Sequence, residues 1–523
     1  MKTIRFRHYL GAGTLAMMAC AMVPPALAKD GQTILNAKCM ACHTPEGDDK
    51  LSRISHQRKT PEGWLMSIVR MQIMYGVKVD EDDRRTLVKY LADKQGLAPS
   101  ETEGMRYALE RRLNTVEEFD EPINQTCGRC HSGARVALQR RPLKEWEHLV
   151  DFHLGRWPSL EYQAMSRDRD WFGQAKKDVA PLLAERYPLD SKAWSDWQQA
   201  KPKAETLVGK WSFAGHMPSK GEVAGTMQVT GGEGDQFKVA VDGQYADGTP
   251  FQGQGSAVLY SGYEWRASVD IGGVAMRQVF AASKGQLHGR MFETEHDERG
   301  LDFTAAQQGT PRVLAVQPGY LKVGAQAQVD IIGSDLKGVP TFAPGIEVLE
   351  VLAQTPERIS VKVKAGVDAA AGVQAVRVGA VEGGNLAVYR DIAEVKVVPA
   401  FSVARVGDNG GSTPKVQGRL DAEAWGRDAA GKPYRIGIFP ASWSVAPFDE
   451  RAAEDEDVKY AGIMHKDGVF LPGDAGPNPA RKMSTNNAGN LKVIAQVDDG
   501  GTPRQGEGQL IVTVQRWNSP PIP

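Results

Sequence analysis

Cys39-Met40-Ala41-Cys42-His43 and Cys127-Gly128-Arg129-Cys130-His131 are two copies of one pattern, C-x-x-C-H. The pattern is the attachment site of a c-type haem. Two cysteines on adjacent turns add across the porphyrin's two vinyl groups as thioethers. The histidine directly after the second cysteine then lies under the ring and coordinates the iron. A disulfide or half of a zinc site would use the same cysteines. Zinc, however, needs further Cys or His at matching spacing, and the chain's one other cysteine is Cys20. The motifs therefore imply two covalently bound haem c groups, with Cys39, Cys42, Cys127 and Cys130 as anchors and His43 and His131 as iron ligands.

Each iron takes a sixth ligand, and a short repeat nominates it. Gln57-Arg58-Lys59 is followed by Trp64 and, seven positions on, Met71; Gln139-Arg140-Arg141 is followed by Trp146 and, seven positions on, His153. Two helical turns past a tryptophan is the same helix face, aimed at the same place over the ring. The expected pairs are His43/Met71 and His131/His153. Met66, Met74 and His56 compete at the first site, and His148 and Met165 at the second. A thioether is a weak donor that favours ferrous iron and raises the potential, whereas a second imidazole favours ferric iron. Electrons would then run from the bis-histidine haem to the His/Met haem and out.

The surrounding elements follow from periodicity. Lys2, Arg5 and Arg7, the apolar run Tyr9 to Val23 and the pattern Ala26-Leu27-Ala28 read as an export signal over residues 1–28, cleaved near Ala28. A lipoprotein signal ending at Cys20 fits the preceding Met17-Met18-Ala19 poorly. Export with c-type haem implies the periplasm. No later segment reaches about 18 uninterrupted apolar residues. The chain has 63 basic and 64 acidic residues, a formal charge of −1, which argues against nucleic acid or an anionic membrane as partner.

With 523 residues, 41% hydrophobic content and 56 glycines, a multidomain chain with a large β portion is expected. Residues 29–98 and 99–205 read as two helical haem domains resembling class I cytochromes c. In the first, helices are predicted around Ile34 and Leu35, over Pro61 to Tyr75, and from Asp80 to Gly96. Ser100-Glu101-Thr102-Glu103 reads as a capping box opening a helix through Arg111. Asp190 is expected to cap a helix bearing Trp194 and Trp197. From about 206, alternation such as Phe237, Val239 and Val241 predicts strands. Residues 206–310 should form a barrel or sandwich. Residues 311–399, closed by Val395 to Pro399, resemble immunoglobulin-like domains of the IPT type, and 400–523 read as a final sandwich. His216, His288, His296 and His465 are scattered through this half without metal-site spacing.

Two amino-terminal haem motifs followed by three β domains resemble the α subunit of quinohaemoprotein amine dehydrogenase. The resemblance covers the whole mature chain in order and is most specific over Gln57 to Met71 and Gln139 to His153. It implies a propeller-shaped β subunit and a small γ subunit bearing a cysteine tryptophylquinone, where primary amines become aldehyde and ammonia. Electrons would pass through the haems of this chain to a periplasmic copper protein or cytochrome c. No catalytic residue is then expected here. The competing readings are an autonomous di-haem peroxidase, which needs an iron with an open face, and a non-enzymatic di-haem binding protein.

Overall fold

The computed structural model describes residues 30–161, 170–409 and 414–514. The expected export signal, Ala28, Cys20 and Met165 lie outside these residues. Among the described residues no helix is long and apolar enough to cross a membrane.

The amino-terminal part is helical. Helix Gly31–Cys39 is capped by Asp30, which accepts from the Thr33 amide, and it delivers the first haem cysteine as its last residue. Helix Pro61–Tyr75 starts with Pro61 after the Thr60 cap and stops at Gly76, whose left-handed φ of 68° ends it without steric cost. Helix Glu81–Lys94 has Asp80 as cap and three acidic residues in its first turn, a charge arrangement suited to the helix dipole. Ile34, Leu35, Trp64, Leu87 and Leu91 close the core between these helices.

The second motif is carried on a π-helical turn, Asn124–Gly128. Helix Leu143–Arg156 follows, and then a helical run over 171–186 that contains another π turn, Ala175–Val179. Ile123, Trp146, Val179 and Leu183 form its core.

Two expected caps differ. The helix around Glu101 starts two residues earlier than the capping-box reading, as Pro99–Thr102 after Ala98, and continues in short pieces to Leu109. Glu101 accepts from the Ala98 amide at 2.8 Å, so the reach-back is made by Glu101 rather than Glu103. The Trp194 helix, Lys192–Ala200, is capped by Ser191, not Asp190.

The β half begins with eight strands between Gly209 and Gln307, each antiparallel to the next. The last, His296–Gln307, pairs with the first, Gly209–Met217, so the sheet closes into a barrel. Trp211, Phe213, Trp265, Phe280 and Phe303 fill it; Phe280 and Phe303 stack with centroids 4.4 Å apart. Next come two four-stranded sheets between Arg312 and Tyr389, sharing a core of Val329, Ile331, Val361, Val363, Leu386 and Val388. Val395 to Pro399, expected to close this unit, does something else. Strand Glu394–Val398 hydrogen-bonds to Asp421–Arg427 in the last group of sheets, where Val395 and Val397 join Ala422 and Leu491 in the core.

The helical part is fastened to one end of the barrel. Ser261 donates its amide to Asp93 at 2.7 Å and its hydroxyl to the Ala92 carbonyl at 2.8 Å. Arg106 pairs with Glu264 at 3.0 Å. Arg266 bridges Glu62 at 2.6 Å and Glu264 at 2.7 Å. Trp197 donates to the Ser261 carbonyl at 2.7 Å.

Candidate haem sites

The two Gln-Arg-basic tripeptides hydrogen-bond to each other. Arg58 faces Arg140 and Lys59 faces Gln139 in an antiparallel two-stranded ribbon, the register produced by a local twofold between copies. Equivalent contacts recur on both sides of it. Gln57 donates to the Arg53 carbonyl at 2.9 Å, and Gln139 to the Arg135 carbonyl at 2.7 Å. The Lys59 ammonium lies 5.2 Å from the Trp64 ring centre, and the Arg141 guanidinium 5.6 Å from that of Trp146. The Lys59 amide donates to the Gln95 carbonyl, and the Arg141 amide to the Tyr187 carbonyl, each residue closing a helix of its copy.

On the axis sits one carboxylate. Glu101 takes two bonds from Arg58 at 2.9 Å and one from Arg140 at 3.1 Å. Burial opposes its ionisation, but Arg58, Arg140 and the Ala98 amide outweigh that and bring the carboxyl down to about 2.

In the second copy the structure brings His131 and His153 together. Their ring centroids are 6.4 Å apart, with planes 39° from one another. An iron bonded to two imidazole nitrogens at about 2.0 Å would hold the centroids roughly 6.3 Å apart. The ring nitrogens are sorted to match. His131 Nδ1 lies 3.0 Å from the Ser132 carbonyl and His153 Nδ1 2.7 Å from the Leu149 carbonyl. A carbonyl accepts only, so both Nδ1 atoms carry the proton and both Nε2 lone pairs are free for a metal. Burial pulls both histidines below their ordinary range, which keeps the rings neutral. The residues present fit a haem iron between them.

Aromatic rings surround His153, with Phe152, Trp157 and Trp171 at 6.1, 5.8 and 6.3 Å. Trp171 donates to the Thr126 carbonyl at 2.9 Å, tying this wall to the turn that bears Cys127. Sequence reasoning missed these three residues. Trp157 was within reach of it, being one turn after His153 on the same face.

The first site is built alike on its proximal side. The His43 amide donates to the Cys39 carbonyl at 2.9 Å, and His43 Nδ1 donates to the Ser52 carbonyl at 2.8 Å. Met71 is half-buried on helix Pro61–Tyr75, as is Met74. Other rivals are engaged elsewhere. His56 pairs with Glu46 at 2.7 Å, Met66 receives Arg135 at 2.7 Å, and His148 lies 3.0 Å from Glu145. Cys39, Cys42, Cys127 and Cys130 form no disulfide. Burial pushes the Cys39 thiol up to about 11 and Cys127 up to about 12.

Four family models match this chain in order. They are described as quinohemoprotein amine dehydrogenase A, alpha subunit, haem binding, over residues 29–194, and the same subunit's domain II over 204–308, domain III over 310–390 and domain IV over 395–522. No curated protein matches. Among solved structures, a de novo designed fluorescence-activating β-barrel is 24% identical over 20% of this chain and 99% of its own, with a TM-score of 0.18. A protocadherin gamma-B4 extracellular domain is 11% identical over 55% of this chain and 60% of its own, with a TM-score of 0.17. At those scores neither bears on function.

Proposed function

Because the chain belongs to the quinohemoprotein amine dehydrogenase alpha-subunit family, we propose that it is the electron-carrying subunit of a periplasmic amine dehydrogenase. The observation that carries the reading is the His131–His153 pair, spaced for one iron with both Nε2 atoms available. Such a site has no open face, which favours moving electrons over binding a substrate at the metal.

When bound, each haem c supplies a one-electron ferric/ferrous couple. Cys39 and Cys42 hold one group as thioethers, and Cys127 and Cys130 the other. His43 and His131 would each supply an iron ligand, their rings oriented by the Ser52 and Ser132 carbonyls. His153, oriented by Leu149, completes the second site, and Met71 completes the first. The thioether of Met71 would place the first couple above the second, which would direct electrons from the bis-histidine site to the His/Met site. From there they leave to an external copper protein or cytochrome c. Oxidation of the primary amine to aldehyde and ammonia belongs to a cysteine tryptophylquinone on a γ subunit, with a propeller-shaped β subunit completing the complex. The chain contributes no catalytic residue.

Electron paramagnetic resonance of the oxidised protein tests this. The expected spectrum holds two low-spin species, one bis-imidazole and one imidazole–thioether. His153→Ala should convert the first alone to high spin, and Met71→Ala the second alone. A high-spin haem in the unaltered protein, or a His153→Ala spectrum identical to it, overturns the assignment. Addition of a primary amine should reduce the haems in the purified complex and leave the isolated chain oxidised.

A further inference from the structure

The local twofold is not exact, and among the described residues two arginines beside it enter no ion pair. Arg53 and Arg135 are equivalent, each the residue whose carbonyl receives its copy's glutamine. Arg53 is neutralised across the axis by Glu145 at 2.8 Å. The residue equivalent to Glu145 in the first copy, next before the tryptophan, is Gly63. Arg135 therefore has no carboxylate to meet. Among the described residues it enters no ion pair, and its guanidinium rests on the Met66 sulfur.

Arg70 is the second such cation. It also enters no ion pair among the described residues, and its guanidinium lies 5.3 Å from the Phe152 ring centre across the axis. Arg70 and Arg135 are near enough to repel each other, and both act on His153; Arg135 also acts on His131, four residues before it. Lys59, Arg141 and Glu145 also face them, with Tyr75 beside Arg70 and Glu117 beside His131. Glu145 is already held by Arg53, with His148 3.0 Å away, and Glu117 by the Ser132 hydroxyl and the Gly133 amide. Arg135 is exposed and Arg70 half-buried; with no carboxylate paired to either among the described residues, the two guanidiniums form a cationic spot that an anion from elsewhere can join.

We propose that Arg70 and Arg135, one from each copy, grip the propionate carboxylates of the haem held between His131 and His153. The inference rests on the proposed bis-histidine site. A haem presents two carboxylates on the edge opposite its thioethers, and a guanidinium's planar fork of donors matches a carboxylate. Arg70 thereby makes the second site a product of both copies. The two positive charges also favour the ferrous form, so they hold the potential of this haem up and narrow its gap to the other.

The test is potentiometric titration of the haem-loaded full-length protein, resolving the two haems spectrally, in Arg70→Gln, Arg135→Gln and the double variant, with Arg70→Lys and Arg135→Lys beside them. Resonance of the parent protein comes first: if it lacks a bis-imidazole haem, the underlying reading has failed, not this one. With that haem present, the double variant should raise its ferric-to-ferrous ratio at the parent midpoint about tenfold, or 59 mV for one electron. Each glutamine variant should move it part of the way, each lysine variant should retain most of the parent value, and the His/Met haem should move far less. Loss of the second haem alone from the double variant also supports the role. Unchanged potentials, or an equal shift at the other haem, overturn it. So does a variant whose only change is the salt dependence of electron transfer to an acceptor, which would make the pair a docking patch for an acidic partner.

Discussion

Glu101→Gln should separate the two copies. Its carboxylate is the one negative group between Arg58 and Arg140, which are 4% and 6% exposed. Its carboxyl is brought from 4.5 down to about 2. At about 1.4 kcal/mol per unit, and discounted for the part of the group still near water, ionisation here contributes on the order of 2–3 kcal/mol. Glutamine keeps an acceptor but not the charge, so two buried guanidiniums face each other uncompensated, a defect of about 3–5 kcal/mol in buried pairs. The expected loss is about 2–4 kcal/mol. It should be read by urea unfolding of the haem-loaded protein followed at the haem absorbance, with the β half followed separately. The depressed carboxyl also sets the pH sign. Its contribution is complete above about 4.5 and is lost as pH falls through about 2. The difference between parent and variant should accordingly be full at neutral pH and shrink in acid. A difference under about 1 kcal/mol at pH 7, or one that does not shrink in acid, refutes the reasoning.

Arg266→Met should loosen the helical part from the barrel, since it leaves the half-buried Glu62 and the buried Glu264 carboxylates without the cation that bridges them at the junction. Hydrogen exchange should quicken in helix Pro61–Tyr75 and at the Ser261–Glu264 turn, and unchanged protection would count against the bridge. His216 joins barrel strand Gly209–Met217 to the last sheets through Asp421 at 2.8 Å, with Glu222 at 3.4 Å. Burial opposes its charge, yet those carboxylates raise it to about 10. This contribution is complete below the ordinary 6.5 and is lost as pH rises through about 10. Proteolysis at this seam should therefore accelerate in that window, and Asp421→Asn should bring the histidine's titration, followed by nuclear magnetic resonance, back toward neutrality.

The haem motifs, the tryptophan repeat and the alternating strands were legible because each is a local pattern of residue type and spacing. The parts that were not legible depend on partners distant in sequence. Closure of the barrel is decided by the pairing of Gly209–Met217 with His296–Gln307, which no alternation within either strand encodes. Glu101 read as one member of a capping box, and its place on the axis is set by Arg58 and Arg140. Strand Glu394–Val398 has the composition to close either neighbour. Its choice is made by Asp421–Arg427. Trp171 stands beside His153 through its bond to Thr126, a contact that periodicity cannot reveal.

The repeat explains more when read for its differences than for its identities. The ribbon, the buried tryptophans and the cations stacked on them are kept, because they build the shared frame. The differences between copies include the two proposed distal ligands, Met71 against His153, and the residues one place before them, Arg70 against Phe152. Arg70 and Phe152 are equivalent residues that touch each other across the axis. A mutation at either position therefore alters both sites at once. On the proposed assignment, two fused copies would tune their haems apart without altering the frame: the Met71/His153 exchange would separate the potentials, and the Arg70 charge lent across the axis would limit the separation. A step too steep would trap the electron on the first haem as surely as no step would leave it undirected.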